Sequence, residues 1–152
     1  MKRIVSILVL AFTSICGFSQ TDALRTQHFN LKKSIAIEGY DPVSYFQGQP
    51  LEGTHDFKYT YKGATYHFAT QANLNTFKLA PDKYEPVYGG WCAYAMGESG
   101  EKVKVDPETF KIVEGKVYLF YNFWGNNTLE DWNKEEKKLK LSADHNWKNI
   151  VR

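Results

Sequence analysis

Hydrophobic and polar positions alternate strictly in two places. In "FKYTY" the rings of Phe57, Tyr59 and Tyr61 fall on one face of a strand, and Lys62-Gly63 follows as a turn. In "ATYHFAT" Tyr66 and Phe68 share one face, with Thr65, His67 and Ala69 on the other, which completes a β-hairpin. A second hairpin is spelled by "TFKIV", the Glu114-Gly115 turn and "KVYLFYN". There Val117, Leu119 and Tyr121 alternate with Tyr118 and Phe120, so this strand is apolar on both faces and is expected to be central. Ile35 and Ile37 alternate as a short strand, and Asp41-Pro42 marks a turn because proline holds the residue before it away from the helical region.

Helical spacing predicts two further elements. Thr70 caps a short helix that carries Leu74 and Phe77 and ends at Pro81. A longer C-terminal helix starts near Thr128, with Asp131 three residues on and Leu129, Trp132 and Leu139 on one face. Trp147 is expected to dock on the core. The stretch "DKYEPVYGGWCAYAMGESGEK" shows no periodicity and reads as irregular. The pattern predicts a small single α+β domain: two β-hairpins in antiparallel sheet, short helices and a longer C-terminal helix.

The first residues stand apart. Lys2 and Arg3 precede an apolar run from Ile4 to Ile15, and Gly17-Phe18-Ser19 supplies small residues for a cleavage site. This predicts a bacterial-type signal peptide over residues 1–19, an exported protein that is periplasmic or secreted, and no stable membrane span after cleavage. A lipoprotein with Cys16 as the lipidated residue is the alternative. Removing Lys2 and Arg3 leaves 17 basic residues against 17 acidic ones, which gives no electrostatic support for nucleic-acid binding. It also leaves Cys92 as the single cysteine. A lone cysteine in an oxidising compartment is packed, reactive or a ligand.

Cys92 lies in "YGGWCAYAM", behind Gly89-Gly90 and four residues before Met96. Two soft sulfurs at that spacing could hold a soft ion such as copper, with His67 as a third ligand. A redox or nucleophilic thiol instead needs exposure and a stabilised thiolate. A packed thiol needs neither. His67, on the strand face opposite Phe68, is a ligand, a proton carrier or a half-buried strand histidine. Asp41 sits in the dense cluster Gly39-Tyr40-Asp41-Pro42, whereas Asp106-Pro107 reads as a plain turn.

"GYDPVSYF", the aromatic hairpin with "YHFAT", a short helix and "PDKYEPVYGG" together resemble a YHS domain, with Tyr66 and His67 at the first two name positions and Thr70 at the serine. Continuing through "YGGWCAYAM", "VDPETFKIVEGKVYLFYN" and the tryptophan-bearing tail, the chain resembles the secreted YHS domain-containing (seleno)proteins from about Ile35 to Trp147. The division that follows is a lead-in at 20–34 and a YHS-type domain with a C-terminal extension at 35–152. Relatives attached to metal-transport proteins carry cysteines at the positions of Ser44, Ala69 and Asn73, so their metal role does not transfer. Some secreted members carry selenocysteine at the position of Cys92. The resemblance therefore implies a thiol-based role for Cys92, with Tyr94, His67 and Asp41 in support and a peroxide, small thiol or protein as redox partner. No cofactor is expected under this reading. The rivals are a copper-binding module using Cys92, Met96 and His67, and a non-catalytic ligand- or protein-binding domain built on the aromatic hairpins.

Overall fold

The computed structural model describes residues 17–152. Lys2, Arg3, the apolar run and Cys16 lie outside the described residues. The chain runs α1 (Gly17–His28), β1 (Leu31–Lys32), β2 (Ile35–Ala36), β3 (Thr54–Tyr61), β4 (Ala64–Phe68), α2 (Gln71–Leu79), α3 (Pro81–Tyr84), α4 (Ala93–Glu98), β5 (Asp106–Val113), β6 (Lys116–Phe120), β7 (Asn122–Phe123), β8 (Asn126–Asn127), α5 (Thr128–Lys134) and α6 (Glu136–Ile150). The expected cleavage point after Ser19 falls in the first turn of α1. The α+β class and both expected hairpins are present.

The first sheet has the order β1-β2-β4-β3, with β4 antiparallel to β3 and parallel to β2. Lys62 and Gly63 turn the hairpin with positive φ at both positions, the pattern of a tight two-residue turn. Alternation along β4 sorts its side chains as the sequence requires: Ala64, Tyr66 and Phe68 are buried, Thr65 and His67 half-buried. On the buried face Phe77 of α2 packs against Tyr66 and Phe68, with ring centroids 4.8 and 5.2 Å away. Thr70 caps α2 by accepting from the Asn73 N–H. Gly53 lies so close to β4 that a Cβ there would sit 2.5 Å from the His67 carbonyl carbon, so no other residue fits.

β6 divides two apolar clusters. Val117 and Leu119 face the cluster of Tyr66, Phe68 and Phe77, while Tyr118 and Phe120 face Met96, Trp132 and Ala143. This is why its sequence is apolar on both faces. It is not a central strand, however: it pairs with β5 alone in a two-stranded ribbon, and its other side receives a single bridge from Cys92 to Leu119. Both faces are covered by packing layers rather than by neighbouring strands.

Four segments differ from the sequence expectation. The lead-in contains α1, which lacks a hydrophobic stripe. It is fixed by Arg25, which donates to the Tyr61 and Lys62 carbonyls, pairs with Glu85 and stacks on Phe29 with its guanidinium carbon 4.2 Å from the ring centre. The irregular stretch holds α3 and α4. α4 meets α6 so closely that a Cβ on Gly97 would lie 2.5 Å from the Leu139 carbonyl oxygen. The C-terminal helix is two helices, broken at Glu135 (φ −136°), and Asn127 caps α5 by accepting from Leu129 N–H. Thr128, the expected start of the helix, turns its hydroxyl inward to the Tyr121 carbonyl. Finally, β7 and β8 form a third small hairpin. Trp147 is half-buried against Phe29 and Tyr88, as expected of a docking residue.

Candidate functional site

Cys92 stands at the residue before α4. Its N–H donates to the Val103 carbonyl (2.9 Å), and its carbonyl accepts the Met96 N–H (3.0 Å). Its side chain is fully buried, at 0% exposure. Two groups meet the sulfur: the Tyr121 N–H donates to Sγ, and Thr128 Oγ1 lies beside it, each at 3.4 Å. Thr128 has one hydroxyl proton, which goes to the Tyr121 carbonyl at 2.9 Å. The thiol S–H is therefore the donor to Thr128. Tyr121 and Thr128 are the two residues that flank the β7–β8 hairpin, so Cys92 fastens the base of that hairpin from below. Neither group at the sulfur is cationic.

The other proposed ligands lie elsewhere. Met96 is buried in the second cluster with Phe120 and Trp132. His67 projects from the half-exposed face of β4, opposite the face that packs on the core, and its nearest ring is His55 at 5.7 Å. Burial first, and then the charges of His55 and Lys58, hold His67 below the ordinary histidine range. The structure does not bring Cys92, Met96 and His67 together. Tyr94 is half-buried and lines a cleft of about 380 Å³ with Glu98, Asp131, Lys134 and Glu135. Desolvation pushes its hydroxyl up.

Asp41 is fully buried and fully engaged. Oδ1 accepts from Val43 N–H (2.8 Å), and Oδ2 accepts from Ala69 N–H (2.9 Å) and the Asn73 side-chain amide (2.7 Å). The Ser44 hydroxyl donates to the Asp41 carbonyl (2.7 Å) and accepts from Leu51 N–H (3.0 Å). Ser44, Ala69 and Asn73 surround Asp41, and hydrogen bonds join them to it in a closed polar knot that ties the Asp-Pro turn to the start of α2.

Sequence reasoning missed two features. Glu85 accepts from both the Tyr66 hydroxyl and Arg25. Burial, reinforced by Glu85, pushes the Tyr66 hydroxyl well up. No local signal foretells a triad drawn from α1, β4 and the loop after α3. The second is the β7–β8 hairpin tip, where Phe123 is 39% and Trp124 95% exposed. Its signal was in the sequence: "NFWGNN" has a glycine and asparagines around a possible turn.

No curated protein and no solved structure matches the chain. The YHS domain family model matches residues 41–88, the segment from the Asp41 knot through the aromatic hairpin and α2 to Tyr88. On that match the chain carries a YHS domain, and Cys92 lies just beyond the matched segment.

Proposed function

We propose that this is an exported protein of the secreted YHS-containing subfamily and that it acts as a non-catalytic binding module. The observation that carries the reading is the placement of Cys92. Its thiol is a fully buried, hydrogen-bonded pin under a hairpin. A reactive thiol requires access, and this sulfur is fully buried with no cationic group beside it. The apolar N-terminal run supports export, and the motifs from Ile35 to Trp147 support the subfamily.

The redox reading, with a peroxide or small thiol as partner, requires the base of the β7–β8 hairpin to open. The copper reading requires more, because His67 and Met96 would have to leave different faces of the fold. Peroxide treatment separates these from the binding reading. In full-length protein carrying Cys16→Ser, hydrogen peroxide with dimedone should leave the native mass unchanged, with adduct forming only in denaturant. Rapid stoichiometric sulfenic acid formation in the folded protein would overturn the binding-module reading.

A further inference from the structure

The tip of the β7–β8 hairpin combines two features that stability alone disfavours. Trp124 has φ +52° and Gly125 φ +78°, so the two-residue turn needs the left-handed region at both positions. Asparagine or glycine meets that need, and a bulky ring at the first position is an outlier. The same tryptophan is 95% exposed. An indole placed in a disfavoured conformation and in water is a feature from which function is fairly inferred. The hairpin is braced below its tip. Phe123 packs on Tyr121 (ring centroids 5.1 Å) and lies 6.1 Å from Trp124, while Cys92 and Thr128 close the base.

The surrounding chemistry is selective. No Lys, Arg or His occurs between Lys116 and Lys134. The groups at the hairpin are amides and carboxylates. Asn126 is exposed and pairs across the hairpin with Phe123. Asn122 donates to Thr109, which in turn donates to Asp106. Asn127 lies 3.5 Å from Glu130. Asn122 and Asn127 are held by these bonds and by the cap of α5, so Asn126 is the amide open to a ligand's hydroxyl groups, and the run without a cation gives no attraction to anionic surfaces. The open face of an indole is the negative side of its quadrupole and attracts weakly positive C–H bonds, such as those on one face of a pyranose ring.

We propose that Trp124, with Phe123 and Asn126, forms a docking finger for a neutral polysaccharide, whose sugar ring stacks on the indole while its hydroxyls bond the Asn126 amide. This rests on the binding-module reading and names the class of ligand. No covalent step is involved.

The test is a titration of ¹⁵N-labelled full-length protein with cellohexaose, xylohexaose and N-acetylchitohexaose in turn. The four tryptophans give four indole N–H signals, and that of Trp124 is the one lost in Trp124→Ala. The expected result is a saturable shift of this signal with at least one sugar, with the signals of Trp132 and Trp147 unmoved. Affinity should fall roughly tenfold or more in Trp124→Ala and be largely kept in Trp124→Tyr. Three outcomes would overturn the proposal: no shift with any of the three sugars, a response to phosphatidylcholine vesicles in place of sugars, or a shift that depends on protein concentration alone. If sugars fail while Cys92 stays sealed against dimedone, only the glycan assignment falls. If Cys92 reacts in the folded state, the binding-module reading falls with it.

Discussion

Among single residues, Asp41 and Cys92 invite a catalytic reading from sequence, and both hold buried, hydrogen-bonded places in the fold. Asp41 accepts three hydrogen bonds, two of them fully buried. Removing the carboxylate leaves the Val43 and Ala69 amides and the Asn73 side chain short of a partner. Asp41→Ala should therefore cost about 3 kcal/mol or more in urea denaturation. Asp41→Asn should recover little of that, because its NH₂ would face donors. An unchanged denaturation midpoint for Asp41→Ala would show that water replaces the knot. For Cys92, the sequence limited the options to a packed, reactive or ligating thiol. It could not reveal the hydroxyl of Thr128 or the amide of Tyr121, which arrive from 36 and 29 residues away.

In the secondary-structure elements, strands were legible and short helices were not. The β3–β4 and β5–β6 hairpins show in the sequence because a period of two sorts rings from polar residues. α4 was hidden because its six residues rely on Gly97 letting it close on α6, a tertiary contact without a periodic trace. α1 was hidden because polar contacts to its last turns, those of Arg25 and the Trp91 indole on the His28 carbonyl, hold it in place of an apolar stripe. The β7–β8 hairpin was overlooked because β7 adjoins the apolar run of β6 and looked like its continuation. That hairpin makes its own prediction. Trp124→Asn puts a residue suited to positive φ into the turn and takes an apolar ring out of water. It should stabilise the protein by about 0.5 to 1 kcal/mol while abolishing the docking response. A destabilised Trp124→Asn would mean that the indole contributes to folding and that the turn is not strained.

Over the whole molecule, two clusters on either side of β6 are joined by Cys92, which packs in the first cluster while its backbone bridges to β6 and begins the helix that carries Met96 into the second. The α+β class and the YHS segment were readable because local alternation and ordered motifs carry them. The candidate site was less so, since faces and depth are set by long-range packing. His67 illustrates the point: the sequence placed it on the correct strand face, but only the fold shows His55 beside it and Cys92 on the far side. Its environment also sets a pH response. The folded state holds the His67 pKa below its unfolded value of about 6.5, so the folded chain binds this proton less readily. The associated stability is complete above the unfolded value and is lost as pH falls through it toward the lower folded one. Urea midpoints should fall between about pH 7 and pH 5, and His67→Gln should flatten that slope. A slope that is the same in the variant would assign it to other groups. The most direct test is the alkylation rate of Cys92 by iodoacetamide across a urea series, in full-length Cys16→Ser protein. A sealed thiol predicts negligible reaction without urea and a rate that rises in step with global unfolding. Fast alkylation in the native state, independent of urea, would show an accessible thiol and contradict the structural role assigned to Cys92.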